Sequence, residues 1–267
     1  MSTQILPPPP GTGMDVYNPL HLQSPDGQLQ SVSLQPLNSL LELESLFPIQ
    51  TNVKDEFNDE LRQAFHKELA FLGLFLKAND LDSYKHSMRV KGLTQRFLRT
   101  LDLAPDDAMT IEAGALLHDL GKIAIDDTIL RKSTPLSAEE FAVIKKHPAL
   151  GAMILSQFKT MKPVMPVVYY HHERWDGKGY PAGLRGEAIP LGARILAITD
   201  AFDAITSQRS YQPARTPAQA LAEIRACAGT QFDPLLAGQF CQSLEVRIPV
   251  PQTGFSQELS LHSKIQG

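Results

Sequence analysis

Residues 113–122 read AGALLHDLGK, an apolar run that ends in two polar side chains. The run predicts a helix over 106–120 that the following glycine stops, so His118 and Asp119 lie at its buried inner end. An ionised aspartate in a core is costly unless a cation pairs with it, and a metal ion bound by this carboxylate and a neutral imidazole removes that cost. The alternative is a buried His–Asp hydrogen bond beside an exposed Lys122, and this stretch alone does not decide between the two.

Lys122 adds a positive charge to the same region. It follows His118 by four residues, so the two side chains share one side of the helix if its last turn continues. An ammonium group there could hold a phosphate oxygen beside the metal ion.

Other histidines occur in similar surroundings. The chain has eight histidines, and four more of them stand with aspartates on predicted helices or at helix ends, namely His86, His147, His171 and His172. Asp82 and His86 are spaced i, i+4 and can converge on one ion. His171 and His172 are adjacent, and neighbouring helical side chains diverge by about 100°. We therefore expect this pair to serve two ions rather than to chelate one.

Two carboxylates on a later helix complete the set. Asp200 ends the apolar run 193–199 and repeats the problem of a buried charge, and Asp203 follows three residues later on nearly the same face. Each of these residues alone is more often structural, but all of them together predict a metal centre. The candidates supply only nitrogen and oxygen ligands, which favours iron or manganese over a structural zinc site. Their number implies two or three divalent ions, an arrangement suited to cleaving a phosphoester without a protein nucleophile.

A loop rich in glycine and proline follows the histidine pair. Residues 176–181 read DGKGYP, and Tyr180 offers a ring for stacking on a base and a hydroxyl for hydrogen bonding. The alternative is a plain tight turn. Arg209 could bind a phosphate with both guanidinium nitrogens, and Arg215 is a further substrate-binding candidate.

Composition limits the class of protein. The chain has 267 residues, a net charge of -4 and two cysteines, so a disulfide scaffold and a general binder of nucleic-acid polymers are both disfavoured. It contains no apolar run long enough to span a membrane and no signal-peptide pattern, so we expect a cytoplasmic location.

The sequence divides into four parts. Residues 1–52 are rich in proline and predict a disordered arm. Residues 53–79 predict an amphipathic N-terminal helix that could pack on the domain or pair with a second copy in a homodimer. Residues 80–245 form an all-α domain, whose predicted helices include one begun by a Ser137–Glu140 capping box. Residues 246–267 look like an irregular tail.

The spaced motifs resemble those of a known family, the HD-GYP group of HD metal-dependent phosphohydrolases. The motifs agree from about residue 80 to 242, and they are HSxRV (86–90), HDLGKI (118–123), HxxxG (147–151), HHE (171–173), DGxGYPxGLxG (176–186), DxFDA (200–204), TSxR (206–209) and GxxFDP (229–234). The resemblance implies an HD-type helical bundle around a di- or trinuclear iron or manganese centre. It also implies hydrolysis of cyclic di-GMP to linear pGpG, and often on to GMP, by a hydroxide that bridges the ions.

The resemblance also implies roles for individual residues. Lys122 would hold the scissile phosphate and act with Asp119 as the catalytic pair, while Tyr180 and Arg209 would contact the nucleotide. The implied metal ligands are His86, His118, Asp119, His147, His171, His172 and Asp200, with Asp82 as an eighth candidate.

Two positions depart from the family pattern. Asp82 stands where three-metal members carry glutamate, and Gln212 stands where a basic residue often follows the arginine. These departures leave two alternatives to a cyclic di-GMP phosphodiesterase. One is a module that binds cyclic di-GMP, or a GGDEF-type or other signalling protein, without turnover. The other is an HD phosphohydrolase for a different cyclic nucleotide.

Overall fold

A computed structural model describes residues 20–23, 29–32, 59–208 and 214–245. The chain divides into two compact units, Met1–Val53 and Lys54–Gly267. The predicted tail over 246–267 lies outside the described residues, as does most of the predicted arm.

The first unit contains a β-hairpin that the sequence prediction missed. Strand β1 (Leu20–Gln23) pairs with strand β2 (Leu29–Val32) in an antiparallel sheet. A disordered arm over 1–52 is therefore wrong for these eight residues. The signal was present in the sequence, because the connection 24–28 contains Asp26-Gly27, a dipeptide typical of hairpin turns.

The second unit is helical, as predicted. Its described α-helices are α1 (Asp59–Asn79), α2 (Leu81–Leu98), α3 (Pro105–Leu117), α4 (Asp127–Leu130), α5 (Ala138–Ile144), α6 (His147–Ser156), α7 (Met165–Tyr170), α8 (Leu191–Thr206), α9 (Pro217–Ala226) and α10 (Pro234–Glu245). Short 3₁₀ helices occur at Leu120–Ala124, Lys159–Val164 and Gly186–Ala188. None of the described helices is long and apolar enough to cross a bilayer.

Local signals explain where several helices begin. The Ser137–Glu140 capping box is confirmed, with both of its hydrogen bonds formed at the start of α5. Asp80 caps α2 by accepting a hydrogen bond from the Ser83 N–H. Helix α3 ends at Leu117, earlier than predicted, because the chain tightens into the 3₁₀ helix at Leu120–Ala124.

Helix α1 packs on its own domain rather than remaining as an isolated arm. It contacts α2, α3 and the 3₁₀ helix at Lys159–Val164, and it buries Phe65, Leu72 and Leu76 completely. Of the two arrangements left open by the sequence, the structure shows packing on the domain.

Four helices that carry the candidate ligands meet in the core. Val90 of α2, Ala115 of α3, Val167 of α7 and Leu196 of α8 form one buried cluster. A second cluster joins the far end of α2 to α8, α9 and α10, where Phe97 and Phe202 each pack edge-to-face on Phe240. Close packing on these helices limits the movement of the side chains that face the site.

Candidate metal centre

The predicted ligands come from separate helices and meet in one place. His86 lies on α2, His118 and Asp119 follow α3, His147 begins α6, His171 and His172 follow α7, and Asp200 lies on α8. The structure therefore brings together residues that are far apart in sequence.

The first half of the centre contains both carboxylates. Asp200 Oδ1 lies 3.0 Å from His86 Nε2 and 4.0 Å from His118 Nε2. Asp119 Oδ2 lies 3.9 Å from His86 Nε2 and 3.5 Å from His118 Nε2. One ligand atom from each of His86, His118 and Asp119 lies within 4.8 Å of the other two, which is close enough for a single ion.

The second half contains three imidazoles. His147, His171 and His172 form a group whose ligand atoms also lie within 4.8 Å of one another, and the Nε2 atoms of His147 and His171 are 3.3 Å apart. Asp119 links the two halves, because its other oxygen, Oδ1, lies 3.5 Å from His147 Nε2. Two three-residue groups joined by a shared carboxylate fit a pair of ions.

His171 and His172 lie closer together than we expected, and their binding of two separate ions stays a prediction. Both belong to the same three-residue group, and their ring centroids are 4.0 Å apart. Helix α7 ends at Tyr170, so the regular angular step between helical neighbours does not carry through this pair.

Backbone carbonyls set the tautomers of three of these rings. The Nδ1 atoms of His118, His147 and His171 lie 3.0, 2.8 and 2.7 Å from the carbonyl oxygens of Ala115, Ile144 and Val168. A carbonyl only accepts, so each Nδ1 carries the proton and each Nε2 presents its lone pair to the centre. This is the usual outer support of a metal-binding histidine.

His86 is oriented by a carboxylate instead. Its Nδ1 donates to Asp203 Oδ2 over 2.7 Å, which leaves Nε2 facing Asp119 and Asp200. Arg89 in turn donates two hydrogen bonds, of 2.8 and 3.0 Å, to the Asp203 carboxylate. The sequence grouped Asp203 with the candidates for the metal centre, whereas the structure places it behind the His86 ring. The three-residue spacing of His86 and Arg89 on one helix face was the available signal for this network.

Burial keeps the histidine-rich half neutral. It lowers the pKa of His147 and of His172 to about 4, and it lowers the pKa of His171 well below its ordinary value with the help of the neighbouring His172. Neutral imidazoles are the form that binds metal ions, so this half is ready for a ligand role at neutral pH.

In the carboxylate half, the pKa of His86 is raised and the pKa of Asp119 is lowered. Burial favours the neutral ring of His86, but hydrogen bonds to Asp200 and Asp203 outweigh it and raise the pKa to about 9. Burial would also favour a neutral Asp119, yet Lys122 and the surrounding imidazoles hold the pKa of that carboxyl well below its ordinary value. A metal ion bound at His86 Nε2 replaces the proton there, because both compete for the same lone pair.

One buried atom fits the binding of a metal ion. His118 is 1% exposed, and its Nε2 has no hydrogen-bond partner among the described residues. A buried polar atom without a partner is costly, and a divalent ion coordinated by this lone pair relieves that cost. The donor set therefore fits divalent metal ions.

Lys122 lies beside this half of the centre. Its Nζ donates to Asp119 Oδ2 over 2.7 Å, because the 3₁₀ helix turns the side chain back over the preceding carboxylate. Gly121 lies between these two residues, and a Cβ there would lie 2.0 Å from the carbonyl oxygen of His147. The glycine thus lets the turn after Asp119 touch the start of α6.

The loop after the histidine pair is fastened to the site. Glu173 is 3% exposed and its Oε1 accepts hydrogen bonds from the N–H groups of Ala182 and Gly183. Tyr180 stacks on His172 with ring centroids 4.8 Å apart. Burial and the carboxylates of Asp119 and Asp200 raise the pKa of Tyr180, so its hydroxyl stays protonated and can donate. Sequence reasoning did not assign Glu173 this anchoring role.

Among the remaining predicted site residues, Asp82 and Arg215 each face an oppositely charged side chain. Asp82 does not join the centre: its side chain is 88% exposed at the first turn of α2, a full helical turn before His86, and faces Lys85. Arg215 forms an ion pair with Glu223. Arg209, like Gln212, lies outside the described residues. The third-ion prediction that depended on Asp82 is therefore not supported by the described side chains.

Comparison with known proteins agrees with this arrangement. A cyclic di-GMP phosphodiesterase of Thermotoga maritima is 34% identical over 190 residues, which are 70% of this chain and 51% of that protein. The 3'3'-cGAMP-specific phosphodiesterase 2 of Vibrio cholerae is 36% identical over 192 residues, which are 69% of this chain and 37% of that protein. The chain thus spans about half or less of the length of these curated relatives.

A solved structure shows the same fold at low sequence identity. An HDG"Y"P protein from Bdellovibrio bacteriovorus aligns with a TM-score of 0.53 and 20% identity, covering 69% of this chain and 64% of that one. Residues 75–236 match the family model described as HD domain, and this range holds all the helices that build the metal centre. The chain therefore belongs to the HD domain family, in the HD-GYP group that its motifs resemble.

Proposed function

We propose that this chain is a metal-dependent phosphodiesterase that hydrolyses cyclic di-GMP to pGpG, to GMP or to both. The observation that carries the proposal is the convergence of five imidazoles and two carboxylates, with the buried Nε2 of His118 lacking a partner among the described residues. The names of the two curated relatives above, both cyclic-dinucleotide phosphodiesterases, support the same reaction class. Two ions fit the two ligand groups, and the absence of thiolates from those groups favours iron or manganese over zinc.

The chain's own residues position the phosphate. Divalent ions held by the two ligand groups would supply an activated water and neutralise charge that develops on phosphorus. Lys122, 28% exposed and next to Asp119, can turn its ammonium to a non-bridging phosphate oxygen. Tyr180 covers His172 and presents a protonated hydroxyl at the edge of the site. No serine or cysteine nucleophile is required.

Turnover by metal-loaded protein tests this proposal. Protein loaded with Mn²⁺ or Fe²⁺ is incubated with cyclic di-GMP, and pGpG and GMP are separated by chromatography. Asp119→Asn should reduce kcat/KM by more than about 100-fold, because Asp119 contacts both halves of the centre. Asp102→Asn changes the same charge at an exposed position before α3 and should stay within about twofold of wild type.

A non-hydrolytic binding module is the outcome that would contradict the proposal. It would show tight binding of cyclic di-GMP in calorimetry and no product from the metal-loaded protein. Measuring the metal content of the same sample by elemental analysis separates an inactive site from an empty one.

A second candidate is hydrolysis of a different cyclic dinucleotide. The Vibrio cholerae relative, named as specific for 3'3'-cGAMP, motivates it. Comparing kcat/KM for cyclic di-GMP, 3'3'-cGAMP and cyclic di-AMP decides between the candidates. We expect cyclic di-GMP to give the highest value.

A GGDEF-type partner, a homodimer and a cytoplasmic location remain predictions. A dimer through α1 would have to use the face opposite Phe65 and Leu72, where Leu74 is 65% exposed. Light scattering of the purified chain measures its oligomeric state.

A further inference from the structure

We propose that Glu223 selects guanine in a cavity beside the metal centre. The inference rests on the proposed function, because it assigns the position of one base of the cyclic dinucleotide. It concerns a residue that neither the motifs nor the ligand groups include.

The cavity adjoins the metal ligands. It has a volume of about 300 Å³ and is lined at one end by His171, His172 and Asp200. Ala197, Ala201 and Ala204 also line it, and they lie with Asp200 along one face of α8. Small side chains at this spacing leave an apolar floor on which a base can lie with its sugar and phosphate close to Asp200. The volume is at the lower end of small-molecule sites, about 300–1,000 Å³, as suits one base with its sugar.

Gln231 supplies a fixed hydrogen-bond donor in this cavity. Its Oε1 accepts from Arg174 Nη1 over 3.3 Å, so the amide NH₂ points the other way. The Gln231 backbone is held as well, because its carbonyl oxygen accepts from the Trp175 N–H in the loop after the histidine pair. The donor is therefore held in one orientation relative to His172.

Glu223 supplies a fixed acceptor in the same cavity. One carboxylate oxygen, Oε2, pairs with Arg215, and Oε1 has no partner among the described residues. Arg215 is itself steadied by a hydrogen bond from its N–H to the carbonyl oxygen of Ile205 on α8. The pair occupies one carboxylate oxygen of Glu223 and leaves the other for a ligand.

The donor of Gln231 and the acceptor of Glu223 match the hydrogen-bonding edge of guanine and do not match that of adenine. The Watson–Crick edge of guanine presents the acceptor O6 beside the donors N1–H and N2–H₂, which match the amide of Gln231 and the carboxylate of Glu223. Adenine presents an unprotonated N1 and has no exocyclic amine at C2, so the carboxylate would face a lone pair. A carboxylate that faces a ring lone pair gains no hydrogen bond and repels it, so adenine should bind less well than guanine.

The experiment compares Glu223→Gln with a matched control. Glu245→Gln removes the same charge from a similar surface ion pair, Arg225–Glu245, which is not part of the cavity. For Mn²⁺-loaded wild type and both variants, kcat/KM and Kd are measured for cyclic di-GMP and cyclic di-AMP. Bis(p-nitrophenyl) phosphate, which has no base, reports on the integrity of the metal centre.

Glu223→Gln should selectively weaken the binding and hydrolysis of cyclic di-GMP. We expect about a 10- to 100-fold loss in kcat/KM and a matching rise in Kd, since a charge-assisted hydrogen bond is lost. Cyclic di-AMP and bis(p-nitrophenyl) phosphate should change by less than about threefold, and Glu245→Gln should resemble wild type. An unchanged preference between the two dinucleotides, or an equal loss on all three substrates, would overturn the assignment.

Failure of the proposed function gives a different pattern. In that case metal-loaded wild type would cleave neither dinucleotide, and the Kd values alone would decide the role of Glu223. A wild type that binds both dinucleotides equally, or binds neither, contradicts guanine selection. A wild type that cleaves cyclic di-GMP while Glu223→Gln keeps the same preference contradicts only the role of Glu223.

Discussion

His86 shows how one residue depends on its partners. Its Nε2 faces the two ligand carboxylates, while its Nδ1 is held by Asp203, which is held in turn by two hydrogen bonds from Arg89. Asp203 is a positioning residue, because it reaches the centre only through the imidazole. Outer carboxylates of this kind fix the ring and raise its basicity toward a metal ion.

Asp203→Asn should weaken metal binding without removing a ligand. We expect the Kd for Mn²⁺ to rise about 10- to 100-fold, because the amide orients the His86 ring less strongly than the carboxylate. Calorimetry with metal-free protein measures this directly. Asp127→Asn is the matched control, since Asp127 also pairs with an arginine, Arg131, but touches no histidine. Equal Mn²⁺ affinities in the two variants would show that Asp203 has no positioning role.

Among the helices, the contact between the turn after α3 and the start of α6 brings two parts of the candidate metal centre together. Helix α3 ends at Leu117, and the 3₁₀ helix that follows returns the chain against the first residue of α6. This contact places His147 beside Asp119, and it depends on the missing side chain of Gly121.

Gly121→Ala should therefore damage both stability and metal binding. Its Cβ would lie 2.0 Å from the carbonyl oxygen of His147, so the two backbone segments must separate. We expect a loss of about 2 kcal/mol or more in the free energy of unfolding, measured by urea denaturation. Gly92→Ala, in the interior of α2 with nothing within 4 Å of the new Cβ, should instead gain about 0.5–1 kcal/mol. Equal effects of the two substitutions would contradict this account of the junction.

At the scale of the whole molecule, the metal-free site links stability to pH. The folded pKa of His147 and His172 is about 4, below the unfolded value of about 6.5, so their contribution is complete above pH 6.5 and lost as the pH falls toward 4. The folded pKa of His86 is about 9, so its contribution is complete below pH 6.5 and lost as the pH rises toward 9.

The metal-free protein should thus be most stable near pH 6.5. Each titrating proton changes the free energy of unfolding by about 1.4 kcal/mol per pH unit. Urea denaturation in the presence of EDTA at pH 5, 6.5 and 8.5 measures the profile. His86→Gln should not lose stability between pH 6.5 and pH 8.5. A stability that increases from pH 6.5 to 8.5 in the wild type would contradict the raised pKa of His86.

The sequence by itself determined the helical class of the second unit and named the seven candidate ligands that the structure brings together. Local patterns were sufficient, because an apolar run that ends in His118-Asp119 or in Asp200 predicts both burial and the need for a cation. The paired strands Leu20–Gln23 and Leu29–Val32 were missed, although the Asp26-Gly27 turn signal is local, because the many prolines of this region predict disorder.

Only the tertiary structure decided which ligands meet. Asp82 has ideal spacing to His86 yet lies exposed, whereas His171 and His172, expected to diverge, belong to one group. Contacts between distant helices likewise set the positions of Asp203, Arg89 and the cavity with Glu223. Glu173 is held within the loop that follows it. The physical reason is that helical periodicity fixes directions within one helix, while distances between helices depend on core packing and on close contacts such as the one at Gly121.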